Sequence, residues 1–386
     1  MSLPLCMAVG PLMLYTLAAV SPLVIEDLEM SDAQYGAVSA VTFISAAGGA
    51  FFLGGQSARF TARHVMMGIA IGSGVSLGLL AAATNYVVVL VVAIIAGVAQ
   101  SLSNPATNRI AAGLPVERRG ALIGWKQSGV QMAQLVAGLL APGIAVLWGW
   151  RWAALAGVVI AVLALWSAFM TREVSPTRSS GGNDGSGVSV SVGRLTAYTF
   201  FMAFGLMGTN AYLALFAHRE LGLSVGAAGL TAAVVGAVGV ASRVIFARAS
   251  GRSGLRRYTL VSLAVGAAAG VALILASSLA GHWLVWLGAA VFGAAALASN
   301  AVTMVALVCS VPAGALSSAT GAMVTAMYFG FATGPLGFGL VLHYGATFHA
   351  GWLLPLCSFA VAALVGLPQL SFSRRGNSAS HATHNL

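Results

Sequence analysis

The chain has 386 residues, of which 59% are hydrophobic and only 7% are charged, and its formal net charge is +10. An average soluble domain carries charge on about 25% of its residues, so this composition excludes a protein with a fully hydrated surface. The basic residues fall in short clusters between apolar stretches. That pattern sets membrane topology and argues against a nucleic-acid-binding patch.

Twelve apolar stretches follow one another along the chain, and each is long enough to cross about 30 Å of hydrocarbon at about 1.5 Å per residue. The first has no basic leader, so it is interpreted as a retained span rather than a signal peptide. The predicted spans are 3–25, 34–56, 65–83, 86–111, 120–146, 151–171, 195–217, 226–249, 258–278, 282–309, 318–342 and 350–370.

The segment from Arg172 to Arg194 interrupts this order, because it is rich in serine, glycine and asparagine, as flexible linkers are. It divides the spans into two sets of six. The sequence therefore predicts an all-α membrane protein with twelve transmembrane helices. The predicted parts are a first six-helix bundle (1–171), a linker (172–194), a second six-helix bundle (195–370) and a polar tail (371–386).

The two halves repeat each other at matched positions, which indicates duplication and predicts pseudo-symmetric bundles. The matched pairs are Asp27 with Glu220, Gly36 with Gly229, Arg59 with Arg252, Arg63 with Arg256, Asn104 with Asn300 and Trp150 with Trp352. Arginines concentrate in the loops after spans two, four, six and eight, whereas five acidic residues lie in loops on the other side. The positive-inside rule then places both termini and the linker in the cytoplasm.

This architecture resembles the major facilitator superfamily, whose signature between spans two and three has the form Gly-x-x-x-Asp-Arg-x-Gly-Arg-Arg. The first copy here reads Gly54-Gly55-Gln56-Ser57-Ala58-Arg59-Phe60-Thr61-Ala62-Arg63, and the second ends with Gly251-Arg252-Ser253-Gly254-Leu255-Arg256. The resemblance implies that Arg59, Arg63, Arg252 and Arg256 belong to conformational latches. Their alternative role is to anchor topology, because both copies lack the signature acid.

The resemblance also implies a bacterial inner-membrane transporter that binds its substrate between the two halves and alternates access by rocking them. Spans one, four, seven and ten line the cavity in this family. The region from Asn104 to Gly129 is further similar to spans four and five of cyanate-transporter-like organic-anion members. Arg243, one turn before the second basic loop, is interpreted as a structural latch in preference to a substrate ligand.

Lys126 is the only lysine in the chain, and it lies inside predicted span five. An ammonium within a membrane costs at least about 2.5 kcal/mol unless it is paired or hydrated, so the residue is a candidate contact for an anionic substrate. The alternative is that its side chain reaches back to the interface and anchors the helix. None of the acidic residues falls in the middle of a span, so the sequence offers no ordinary carboxylate for proton coupling.

Other polar residues inside the spans are further substrate-binding candidates, with helix-to-helix hydrogen bonding as their alternative role. Gln127, Gln131 and Gln134 share one face of span five because they are four and three residues apart. Asn104 and Asn300 occupy matched positions, and Asn108 lies one turn after Asn104. The remaining candidates are Tyr15, Asn210 and Tyr212.

We therefore expect a secondary transporter for a small organic anion, with an exporter of hydrophobic compounds as the alternative and a non-transporting sensor as a weaker one. The spans contain no carboxylate pair or activated nucleophile, which argues against an enzyme. Cys6, Cys309 and Cys357 have no metal-binding spacing. The sequence predicts no cofactor, no metal and no nucleic-acid partner, and it favours a monomer in the lipid bilayer.

Overall fold

The structure of the chain is a computed structural model that describes residues 2–56, 60–104, 106–107, 116–171, 191–249, 256–311 and 316–367. Nearly all of these residues are helical. The helices are α1 (Ser2–Val9), α2 (Leu12–Ala19), α3 (Ser21–Asp27), α4 (Asp32–Gln56), α5 (Ala62–Ala81), α6 (Tyr86–Ser101), α7 (Val116–Trp148), α8 (Trp150–Phe169), α9 (Val192–Arg219), α10 (Val225–Ala249), α11 (Arg256–Ala280), α12 (Leu284–Ser310), α13 (Leu316–His343) and α14 (Phe348–Gly366).

Every predicted span overlaps at least one of these helices. Within the described residues, 10 helices are long and apolar enough to cross a membrane, and α1 with α2 forms one more candidate if the pair, bent by 56°, counts as a single span. The shorter apolar helix α6 occupies the fourth predicted span. The prediction of an all-α, multi-pass membrane protein is confirmed.

The first span is broken at Gly10 and Pro11, between α1 and α2. Proline has no amide hydrogen to donate to the helix ladder, so it favours such a break. Glycine is required beside it, because a Cβ atom on Gly10 would lie 2.8 Å from the Cβ atom of Gln100. The absence of a side chain at Gly10 therefore lets the first span approach the end of α6 at this point.

The helix ends carry different charges. We call the end with Asp27, Asp32, Arg151 and Arg219 the acidic end, and the opposite end, with Arg63 and the N-terminal turn of α9, the basic end. At the acidic end, Arg151 forms a 2.8 Å ion pair with Asp27 inside the first half of the chain. At the basic end, the Arg63 guanidinium stacks 4.5 Å from the ring centroid of Phe169.

Contacts between α4 and α9 close the acidic end across the two halves. Arg219 Nη1 lies 2.7 Å from Asp32 Oδ1, and the Tyr212 hydroxyl donates to the Asp32 carbonyl oxygen at 2.8 Å. The Tyr35 hydroxyl donates to the Ala211 carbonyl oxygen at 2.8 Å. We call these contacts the acidic-end seal.

A second contact between the halves runs along α7 and α10, whose backbones touch at glycines. A Cβ atom on Gly138 would lie 2.4 Å from the Ala233 nitrogen, and one on Gly236 would lie 2.6 Å from the Leu135 nitrogen. Small residues allow such close approach in membranes, where van der Waals packing drives helix association. We call this contact the glycine seam.

The acidic-end seal predicts a shift in conformation when its ion pair is broken. Arg219→Gln is expected to raise the fraction of molecules that are open at the acidic end about 1.4- to fivefold, because an exposed ion pair stabilises by about 0.2–1 kcal/mol. Distances between spin labels at Glu26 and Tyr344, on opposite halves, would report this population. Arg151→Gln breaks an ion pair at the same end but within one half, so it should not change the distances. An unchanged distribution in Arg219→Gln would contradict the prediction.

Candidate functional site

The side chain of Lys126 is buried in the interior of the bundle, with only 1% of its surface exposed. Its Nζ atom donates to Thr107 Oγ1 at 2.9 Å and to Asn104 Oδ1 at 3.4 Å. The side chain therefore turns inward to neutral polar groups that follow α6, and does not extend to the membrane surface. This placement favours the binding interpretation over the interface anchor.

Gln127 joins the same group from the next position on α7. Its Nε2 atom donates to Asn104 Oδ1 at 3.1 Å, so one amide oxygen accepts from both Lys126 and Gln127. Thr107 Oγ1 in turn donates to the Ser103 carbonyl oxygen at 2.6 Å. We call Lys126, Gln127, Asn104 and Thr107 the lysine cluster. Sequence analysis identified three of its members and missed Thr107.

Among the residues whose burial the structure describes, Arg243, on α10, is also a buried cation, and it is 8% exposed. Its Nε atom donates to the Leu297 carbonyl oxygen of α12 at 3.1 Å, and Nη1 donates to the Gln127 carbonyl oxygen of α7 at 2.9 Å. The guanidinium thus joins the two halves of the chain. It also lies beside the lysine cluster, because Gln127 is the neighbour of Lys126.

Arg243 lines a cavity of about 40 Å³ between α9, α10, α12 and α13. Asn300 and Ser299 contribute polar groups to its wall, while Met202 and Phe331 contribute apolar surface. We call it the arginine cavity. A few polar groups set in an apolar wall are typical of small-molecule sites.

A group of buried amides connects the halves elsewhere. Gln134 Nε2 donates to Asn210 Oδ1 at 2.9 Å, which joins α7 to α9. Within the described part of the chain, Gln131 Oε1, Gln134 Oε1 and Asn210 Nδ2 have no hydrogen-bond partner. Asn210 also lines a second cavity with Tyr15 and Tyr35. These groups are therefore able to bind water or a polar ligand.

Other candidates lie away from these cavities or outside the described residues. Tyr212 is buried in the acidic-end seal, where its ring stacks 4.4 Å from that of Phe338 and does not line either cavity. Arg63 is at the basic end, and Arg256 begins α11. Three candidates, Asn108, Arg59 and Arg252, lie outside the described residues.

The charges and hydrogen bonds of this region suit an anion. Lys126 and Arg243 come from different halves of the chain, and Arg243 Nη1 donates to the carbonyl oxygen of Gln127, the residue directly after Lys126. A cation in a low-dielectric interior is stabilised by an opposite charge. Arg243, Ser299 and Asn300 therefore offer positive charge and hydrogen-bond donors to a small anion in the arginine cavity.

Comparison with known proteins supports this architecture. The family model described as "Major Facilitator Superfamily" matches residues 5–335 and 195–382. A probable metabolite transport protein of Saccharomyces cerevisiae is 31% identical over 139 residues, which cover 35% of this chain and 28% of the yeast protein.

Solved structures share the fold. A bacterial homologue of the human lysosomal transporter Spinster, in an inward-facing and occupied conformation, superposes with a TM-score of 0.72 at 16% identity and covers 95% of this chain and 94% of its own. The nucleoside transporter NupG gives a TM-score of 0.75 at 16% identity, and the superposition covers 95% of this chain and 98% of the NupG chain. The match of the family model over most of the sequence shows that this chain is a member of the Major Facilitator Superfamily.

Proposed function

We propose that this protein is a secondary active transporter that moves a small organic anion, a carboxylate, by alternating access between its two halves. The observation that carries the proposal is the burial of Lys126, at 1% exposure, in a cluster of side chains from α7 and the end of the fourth span. Charged residues within a membrane protein are rare, and they usually mark a substrate or ion pathway.

The chemistry of the lysine cluster supports an anionic substrate. An ammonium is a compact point charge that suits a single carboxylate. Thr107 Oγ1 and Asn104 Oδ1 accept hydrogen bonds from the ammonium, and Gln127 Nε2 donates to the same Asn104 oxygen and so holds that amide in place. Preorganised groups of this kind reduce the entropy that is lost when a ligand binds.

The two-bundle division predicted from the sequence is part of this proposal, as is the orientation with the basic end in the cytoplasm of a bacterium. In this orientation the acidic-end seal closes the outer side. The glycine seam gives the halves a surface on which to rock. The names of the similar proteins, which include a metabolite transport protein and a nucleoside transporter, support a cargo of metabolite size.

A ligand screen on the detergent-purified protein tests the proposal. A ligand that binds only the native state raises its apparent stability by about RT ln(1 + [L]/Kd). We expect small carboxylates to raise the melting temperature, and neutral nucleosides and cationic hydrophobic compounds to leave it unchanged. Counterflow of the best carboxylate in proteoliposomes should then show transport. Stabilisation by hydrophobic compounds alone would contradict the proposal and favour an exporter.

A further inference from the structure

We propose that the arginine cavity is a binding site for a small inorganic monoanion of the size of chloride, held by Arg243 and Asn300. The site is distinct from the lysine cluster, because the described residues of the cavity wall do not include Lys126. The proposal does not depend on which solute the protein transports. The sequence assigned Arg243 to a structural latch and Asn300 to substrate binding, and their shared cavity gives both residues a further role.

The guanidinium of Arg243 is a buried positive charge that has no carboxylate partner among the described residues. The residue is only 8% exposed. Its Nε and Nη1 atoms donate to neutral backbone carbonyls, those of Leu297 and Gln127. The ion pairs in the described part of the chain lie at the acidic end and involve other arginines. A buried cation is stabilised by an opposite charge, so the guanidinium favours an anion beside it.

Arg243 and Asn300 together supply several N–H donors to the cavity that they both line. A guanidinium has five such donors, and Arg243 uses two of them in its bonds to backbone carbonyls. Asn300 lies three residues after Leu297 on α12, so it is next to the point where the guanidinium bonds to that helix. Its amide has two more donors, and it forms no hydrogen bond with the residues that the structure describes.

The size of the arginine cavity selects a compact ion. Its volume is about 40 Å³, and a water molecule needs about 10–15 Å³ of such space. The cavity therefore has room for about three water-sized particles, which is enough for one chloride ion and a water molecule. Pockets for drug-sized ligands measure about 300–1,000 Å³, so this cavity is far too small for an organic ligand of that class.

The charge and the wall of the cavity favour a monovalent anion over sulfate or phosphate. One guanidinium neutralises one negative charge, and a divalent anion would keep a second charge in the cavity. Met202, Met327 and Phe331 make much of the wall apolar. Burial of an unpaired charge in such surroundings is costly, so the site should prefer halides to divalent anions.

Line broadening in chloride NMR tests the proposal, because chloride bound to a large protein relaxes faster than free chloride. The detergent-purified protein would be titrated with chloride in a sulfate buffer, and we expect the wild type to show saturable broadening. Arg243→Gln should weaken chloride binding at least roughly 30-fold, since desolvated charge pairs contribute strongly to affinity. Asn300→Leu removes the amide donors at similar side-chain size and should weaken binding roughly tenfold. Arg243→Lys keeps the charge and should retain part of the binding.

Arg151→Gln is the matched control, because it removes an arginine at the acidic end and should bind chloride as the wild type does. Lys126→Met should also retain binding, since the two sites are separate. Equal broadening in the wild type and Arg243→Gln would show an adventitious ion only and would overturn the proposal. Loss of broadening in Lys126→Met but not in Arg243→Gln would place the anion at the lysine cluster and overturn it too. If Arg243→Gln does not fold, wild-type affinity in Asn300→Leu would overturn the proposal instead.

Discussion

Replacing Lys126 with methionine is expected to weaken carboxylate binding by roughly 30- to 1000-fold. Removal of one partner from a buried charge pair costs about 2–4 kcal/mol, and each 1.4 kcal/mol corresponds to about a factor of ten in affinity. Methionine keeps an unbranched, flexible side chain of similar length, so it fills the space among Asn104, Thr107 and α7. The substitution therefore removes the charge with little loss of packing.

The fold of Lys126→Met should remain intact, and its melting temperature without ligand should equal or exceed that of the wild type. A hydrophobic residue that replaces a buried charge is often neutral or stabilising. Titration of the ligand and thermal unfolding, measured on the same samples, separate loss of the site from loss of the fold. Lys126→Arg is the matched control, because it keeps the charge and should retain measurable binding. Wild-type affinity in Lys126→Met would contradict the role of Lys126.

Replacing Gly138 with valine is expected to impair transport strongly. Its Cβ atom would lie 2.4 Å from the Ala233 nitrogen, so α7 and α10 would have to separate. Overpacking of this kind costs about 1–3 kcal/mol in well-packed cores. Here the neighbouring atom is a backbone atom, which cannot move away by a change of side-chain rotamer. The glycine seam joins the two halves, so we expect counterflow to fall at least roughly tenfold. A rise of about 1.4 kcal/mol in the free energy of the transporting conformation would produce this loss.

Gly143→Val provides the control for this prediction on the same helix. Gly143 has no neighbouring heavy atom within 4 Å of an added Cβ atom, so the substitution adds the same side chain without a clash. Its effect on stability should stay within about 0.5 kcal/mol, and its transport should match the wild type. Equal activity of Gly138→Val and Gly143→Val would show that close contact at the seam is not needed for transport.

The helical architecture was predictable because apolar spans leave a strong, repeated signal in the sequence. Each span must satisfy its own backbone hydrogen bonds in lipid, so only long apolar helices are available. The break in the first span was missed. Gly10 and Pro11 mark it in the sequence, but proline is tolerated in membrane helices and does not by itself fix a bend.

The lysine cluster was partly predictable because charged and amide side chains are rare within membrane spans. Lys126 is conspicuous because a single lysine lies within a span, and the amides of Asn104 and Gln127 are unusual in the same environment. Thr107 was missed because threonine often bonds to its own helix, as its contact with the Ser103 carbonyl shows. Nothing in local sequence tells whether such a hydroxyl also faces a lysine on another helix.

The placement of Arg243 and Tyr212 depends on how the two halves meet, which periodicity does not report. Arg243 lies near a basic loop in sequence, yet its side chain is buried beside α7 and α12. Tyr212 lies in a span expected to line the cavity, yet it bonds to Asp32 in the seal. The sequence pattern indicates the glycine seam more clearly. Gly229, Gly236 and Gly239 recur on one face of α10, as small residues do where helices pack against each other in membranes.

Asp32 holds the acidic-end seal with two different groups, its carboxylate and its carbonyl oxygen, and both partners lie on α9. Any motion that withdraws α4 from α9 must break the two bonds in the same step. In the proposed transport cycle, a partial separation would lose hydrogen bonds without admitting solute, so opening would be cooperative. A gate that opens in this way would suppress the leak of water and ions down a gradient.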